Sequence, residues 1–254
     1  MVRDPAWAAL VHGGFEYAGI ALGAGLYRRT TAVGLRTPGR FAIVVGLLLG
    51  AALGNKLVFW IERPDLLLNW WFDTSGPARF PMGQSLVGGL LGGLLGVELA
   101  KRLIGERRSQ GDALVLPLTL GIAVGRIGCL LAGVHDDTWG LPSTLPWAWD
   151  PGDGLPRHPA PLYESLFVLI WGGGLSGVPR WREAMNHEPG LRFKLFLSGY
   201  LVWRLLIDGL KPVPIPYALG ASGIQWVCGL SLLFYLPWVM HAGHRCFQSD
   251  KGNP

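Results

Sequence analysis

Apolar residues run along this chain in long blocks broken by short polar turns. Seven blocks, near 7–27, 41–61, 84–104, 113–134, 161–178, 191–210 and 219–241, each hold roughly 20 mostly apolar residues, enough for a helix to cross a bilayer. Several contain Gly or Pro, which helices in lipid tolerate better than helices in water. The second carries Gly46, Gly50 and Gly54, and the third Gly88, Gly92 and Gly96. Small residues every fourth position predict close helix–helix approach. The pattern predicts one all-α, polytopic membrane domain over 1–254, with its longest connection at 135–160.

Composition agrees. Of 254 residues, 50% are hydrophobic and 15% charged, where an average soluble domain has about 25% charge. Lys and Arg alternate with the turns. Arg28, Arg29, Arg36 and Arg40 follow the first block, and Lys101, Arg102, Arg107 and Arg108 follow the third. Arg180, Arg182, Arg192 and Lys194 follow the fifth, and Arg245 and Lys251 close the chain. The turns between are acidic or nearly neutral: Glu62, Asp65 and Asp73 stand against Arg63 and Arg79, and Asp136, Asp137, Asp150 and Asp153 against Arg157. The positive-inside rule then predicts an outer N-terminus, a cytoplasmic C-terminus and loop 135–160 outside. The net charge of +5 follows from this topology, so nucleic acid is not an expected partner. No cleavable signal peptide is predicted at the first block. Trp60, Trp70, Trp71, Trp139, Trp147 and Trp149 fall near block ends or in outer turns, as interfacial Trp does. Three scattered Cys (129, 228, 246) predict no disulfide framework, and no metal-ligand spacing appears.

Ionisable residues at membrane depth mark a site or a paired charge. Arg126 in "VGRIGCLLAG" stands eight residues before the end of the fourth block, roughly 12 Å deep at 1.5 Å per residue. Tyr200, Arg204 and Asp208 are spaced by four and share one helical face. His12 and Glu16 do the same on the first block. Glu164 opens the fifth block, in "RHPAPLYE", where helix capping is the structural alternative. By the predicted topology these groups gather in the outer leaflet. Glu98 falls in the inner half and is expected to pair with Lys101 or Arg102. Arg126 and Arg204 cannot deprotonate and match phosphate bidentately. An anionic phospholipid headgroup is therefore the predicted partner, with a salt bridge from Arg126 to Asp208 or Glu164 as the structural alternative.

"GRIGCLLAG", "RHPAPLYE" and "GYLVWRLLID", with "SLVGGLLG" in the third block, resemble prolipoprotein diacylglyceryl transferase over most of the chain. The resemblance implies a multi-pass enzyme of the bacterial inner membrane with its active site facing outward. It implies transfer of a diacylglyceryl group from phosphatidylglycerol to the cysteine of a prolipoprotein, bound through its signal peptide, with no cofactor or metal. It places the phosphate-contacting arginine on Arg126 and catalytic roles on His158, Tyr200, Arg204 and Asp208, the last where Glu is usual. Tyr163 and Glu164 fall on its motif, and Cys129, Arg157, His12 and Glu16 are the remaining expected substrate-binding residues. The sequence departs from the family at three places. Val87 stands for a catalytic His, Cys129 for an Asn, and Val134 for an acid that His135, Asp136 and Asp137 follow. The base is then expected from His158 first, from His12 with Glu16 orienting it second, or from His135. A catalytically silent phospholipid- or lipoprotein-binding paralogue and a transferase with another acceptor are the alternative readings.

Overall fold

The computed structural model describes residues 4–30, 38–72, 80–136 and 138–251; Arg36, Asp73, Arg79 and Asp137 lie outside them. Helices α1 (Pro5–Thr30), α2 (Pro38–Glu62), α4 (Leu86–Ile104), α5 (Val115–Ala132), α6 (Ala160–Gly177), α8 (Leu191–Ile207) and α9 (Gly223–Lys251) fall on the seven apolar blocks. Two short helices, α3 (Pro64–Phe72) and α7 (Pro179–Asn186), occupy what reads in sequence as turns. Each starts at a proline, whose fixed φ suits a first helical position. Among the described residues no strand forms; two isolated bridges, Pro142 to Arg157 and Trp149 to Arg157, tie loop 135–160 together. Gly39–Glu62, Gly111–His135 and Gly223–His244 are long and apolar enough to cross a membrane. Large apolar side chains such as Leu103 of α4, Ile170 of α6 and Phe234 of α9 stand exposed, a surface suited to lipid contact.

The helices group into two compact units. One contains α2, α3, α4 and the start of α9. In it, Gly46, Gly50 and Gly54 of α2 face Gly96, Gly92 and Gly88 of α4, each backbone against the other's carbonyl oxygens. The reversed order makes the pair antiparallel, and the small-residue spacing serves helix contact as predicted. Ser85 caps α4 by accepting from the Gly88 amide at 3.3 Å, and Gly105 ends it at φ 72°. The expected Glu98–Lys101 pair forms at 2.9 Å.

The other unit contains α1, α5, α6, α7 and α8. Gly19 and Gly23 of α1 lie against the carbonyls of Gly121 and Pro117, so α1 and α5 are antiparallel. Ser165 of α6 donates to the Ala123 carbonyl of α5 at 2.7 Å. Asp112, in the 3-10 turn Gly111–Leu114, accepts from the amides of Gly190 (2.6 Å) and Phe193 (2.9 Å), which fixes the start of α8. Buried Phe196, Leu197 and Leu201 surround the polar residues of α8.

Candidate active site

Glu164 is fully buried, and both of its oxygens are engaged by cations. Arg126 Nη2 of α5 lies 2.9 Å from Oε1. Arg204 Nη1 of α8 donates to Oε2 at 3.0 Å. The Tyr200 hydroxyl also donates to Oε1, at 2.5 Å. One turn further, Asp208 Oδ1 accepts from Arg204 Nη2 at 2.8 Å. The four-residue spacing of Tyr200, Arg204 and Asp208 has put them on one face, as predicted, and that face meets α5 and α6. Two guanidiniums and two carboxylates balance in charge, which buried ions require.

The structural alternative for Arg126 is thus observed: its ion pair is with Glu164, while Asp208 serves Arg204. The capping alternative for Glu164 is corrected, since α6 starts at Ala160 behind Pro159 and its first turn holds no acid. Glu164 lies past that turn and points into the helix interface instead. The pairs leave donors over: Arg126 Nε and Arg204 Nε are buried with no partner among the described residues. An unpaired buried N–H is costly, and an anion's oxygen would satisfy it.

Cys129, one turn after Arg126, faces the same region, with Arg126 Nη1 3.6 Å from its sulfur. His12 and Asp136 complete a second cluster there. His12 Nδ1 and Asp136 Oδ2 are 2.7 Å apart, while Glu16, the orienting acid expected from sequence, is 3.9 Å from His12 Nε2. Asp136 takes the closer role because the chain turns back after α5. Gly133 at φ 62°, a conformation that favours glycine, redirects it, and the turn Gly133–His135 returns Asp136 to α1. Burial pushes the Asp136 carboxyl up, but the hydrogen bond with His12, together with contact with Cys129 and the charges of His12 and Arg126, holds the group below the usual range.

His158, Tyr163 and Arg157 form a third group in the loop. His158 Nδ1 lies 3.4 Å from the Tyr163 hydroxyl, which accepts from Trp147 Nε1 at 2.7 Å. The Arg157 guanidinium donates to Asp153 Oδ2 and stacks 4.3 Å over the Trp139 ring. His135 is exposed. A recess lined by Cys129, Trp139, Trp149, Arg157 and His158 joins the loop group to the second cluster.

Lys211, half-buried just past α8, has no motif in sequence. Burial and then the nearby Arg204 push its ammonium down to about 7. Its place directly after the Tyr200–Asp208 face is the signal that could have found it. Val87 is buried on α4, in the unit that also holds α2 and α3.

Known proteins agree with the motifs. The family described as prolipoprotein diacylglyceryl transferase matches residues 12–241. Proteins named phosphatidylglycerol–prolipoprotein diacylglyceryl transferase are similar to this chain. The Bordetella avium protein is 31% identical over 206 residues, covering 77% of this chain and 72% of its own. The Leptothrix cholodnii protein is 31% identical over 208 residues, covering 73% and 69%. The Bordetella parapertussis protein is 29% identical over 208 residues, covering 74% and 70%. With the match running from the His12 helix through the arginine pair and into the last helix, the chain belongs to the prolipoprotein diacylglyceryl transferase family.

Proposed function

We propose that this chain transfers the diacylglyceryl group of phosphatidylglycerol to the cysteine thiol of a prolipoprotein at the outer face of the bacterial inner membrane. It spans the membrane seven times, with its N-terminus outside. The loop charges and the antiparallel helix pairs support that arrangement. The observation that carries the reaction is the pair of buried arginines with unsatisfied Nε donors on α5 and α8. The acceptor sulfur attacks the terminal glyceryl carbon, the carbon–oxygen bond to phosphate breaks, and glycerol phosphate leaves. Guanidiniums fixed before the reaction can take up the charge that develops on the phosphate. Glu164, Tyr200 and Asp208 hold them in position. His158, which lines the recess, and Tyr163 beside it suit contact with the incoming peptide. Valine at 87 carries no proton acceptor, so thiol activation falls to another group.

The test uses the purified protein in detergent with phosphatidylglycerol and a fluorescent peptide bearing the free acceptor cysteine of a prolipoprotein. Glycerol phosphate release and peptide lipidation are followed together. Both are expected in the wild type and lost in Arg126→Ala and Arg204→Ala. Full activity in both variants overturns the proposal. Release without peptide lipidation points to another acceptor, and bound phosphatidylglycerol with neither product points to a silent binding paralogue.

A further inference from the structure

His12, Cys129 and Asp136 come from two helices and the turn that follows the second. The His12 ring nitrogen, the Cys129 sulfur and an Asp136 carboxylate oxygen all lie within 4.8 Å of one another. Cys129 is buried, the Asp136 side chain is 9% exposed and the His12 side chain 32%. The cluster is therefore closed on the protein side and open past His12.

Imidazole, thiolate and carboxylate are the ligand types of zinc, and zinc sites that do chemistry keep three protein ligands and one open position. A thiolate in the set disfavours magnesium and calcium. Glu16 stands behind the far nitrogen of His12 at 3.9 Å, the place where a carboxylate commonly supports a ligating histidine. Charge also balances. A dication with Arg126 and Arg204 is matched by the Cys129 thiolate and the carboxylates of Asp136, Glu164 and Asp208.

The geometry points to a zinc site made by His12, Cys129 and Asp136 whose open position takes the acceptor thiol. This rests on the transferase reading above. A thiol that binds such an ion is deprotonated outright, and its proton passes to solvent. The bound sulfur then supplies the electron pair for the new sulfur–carbon bond. The electron pair of the broken carbon–oxygen bond leaves with glycerol phosphate. Arg126 lies 3.6 Å from the Cys129 sulfur, which puts a leaving-group cation beside the metal. The site supplies a thiolate without a general base.

The experiment measures metal in protein purified without a histidine tag from zinc-supplemented medium. Stoichiometric zinc is expected in the wild type and not in Cys129→Ser or Asp136→Ala, with unfolding of each variant followed in parallel. Cobalt exchanged into the wild type should give a sulfur-to-cobalt absorption that is absent from Cys129→Ser. That absorption should grow when a cysteine peptide is added and stay unchanged with its serine counterpart. A wild type that takes up neither zinc nor cobalt overturns the site on the protein itself, with no variant needed. A cobalt spectrum blind to the cysteine peptide overturns the assignment of the open position. Peptide lipidation by zinc-free protein keeps the transferase reading and removes the metal. A loaded site without lipid transfer keeps the metal and removes the transferase reading.

Discussion

Arg126 and Arg204, on different helices, hold opposite oxygens of one carboxylate, Glu164. Neither arginine can shed its proton, so Glu164 bridges both and shares with Asp208 the balance of their charge. Glu164→Gln keeps the shape and removes its negative charge. Breaking a buried pair costs about 3–5 kcal/mol, and a loss of that size is expected in the detergent-solubilised protein. Because the groups act together, the double variant Arg126→Met/Glu164→Gln should cost less than the two singles combined, by about 1 kcal/mol or more. Strict additivity in equilibrium unfolding would show that the ion pair does not couple the helices.

Tyr200→Phe tests the hydroxyl separately. It removes one donor to a charged acceptor, a contact whose deletion costs about 1.5–3 kcal/mol. The guanidiniums stay, but one restraint on Glu164 goes. The proposed positioning role predicts a kcat several-fold lower with KM for phosphatidylglycerol nearly unchanged. A rise in KM alone would mean that Tyr200 contacts the lipid in its ground state.

Hydrophobic runs made all seven long helices legible in the sequence, and the i, i+4 rule put Tyr200, Arg204 and Asp208 on one face. Depth singled out Arg126. Partner choice was not legible, because it depends on how helices distant in sequence are rotated about their axes. Thus Glu164 could be read as a cap, whereas it binds α5 and α8. His12 was paired with Glu16 on its own helix, since periodicity sees only local neighbours. Its closer partner Asp136 arrives through the turn at Gly133, which no period encodes. Helices α3 and α7 escaped because each is too short to show an amphipathic repeat beyond two turns.

Lys211 gives the chain a pH dependence near neutrality. Its ammonium falls from the ordinary 10.5 to about 7 in the folded protein. Between those values the unfolded chain binds the extra proton, so stability should rise as pH increases from about 7 toward 10. Below about 7 the folded protein regains a cation beside Arg204. KM for phosphatidylglycerol is then expected to be lower at pH 6 than at pH 8, since the phosphodiester stays anionic throughout. Lys211→Met should flatten both trends. A KM profile unchanged in that variant would assign the titration to another group.

Gly50 of α2 and Gly25 of α1 should respond to the same substitution with opposite signs. A methyl on Gly50 would overlap the carbonyl oxygen of Gly92, which is backbone and cannot swing aside. Gly50→Ala therefore forces α2 and α4 apart, and overpacking of this kind costs about 1–3 kcal/mol. Gly25 of α1 has nothing within 4 Å of the same methyl. There the change only removes the entropic penalty of glycine in a helix, a gain of about 0.5–1 kcal/mol. Thermal unfolding of both variants in one detergent measures the contrast. Equal shifts would mean that the Gly46–Gly50–Gly54 stripe follows helix propensity alone, and that α2 and α4 do not owe their approach to the missing side chains.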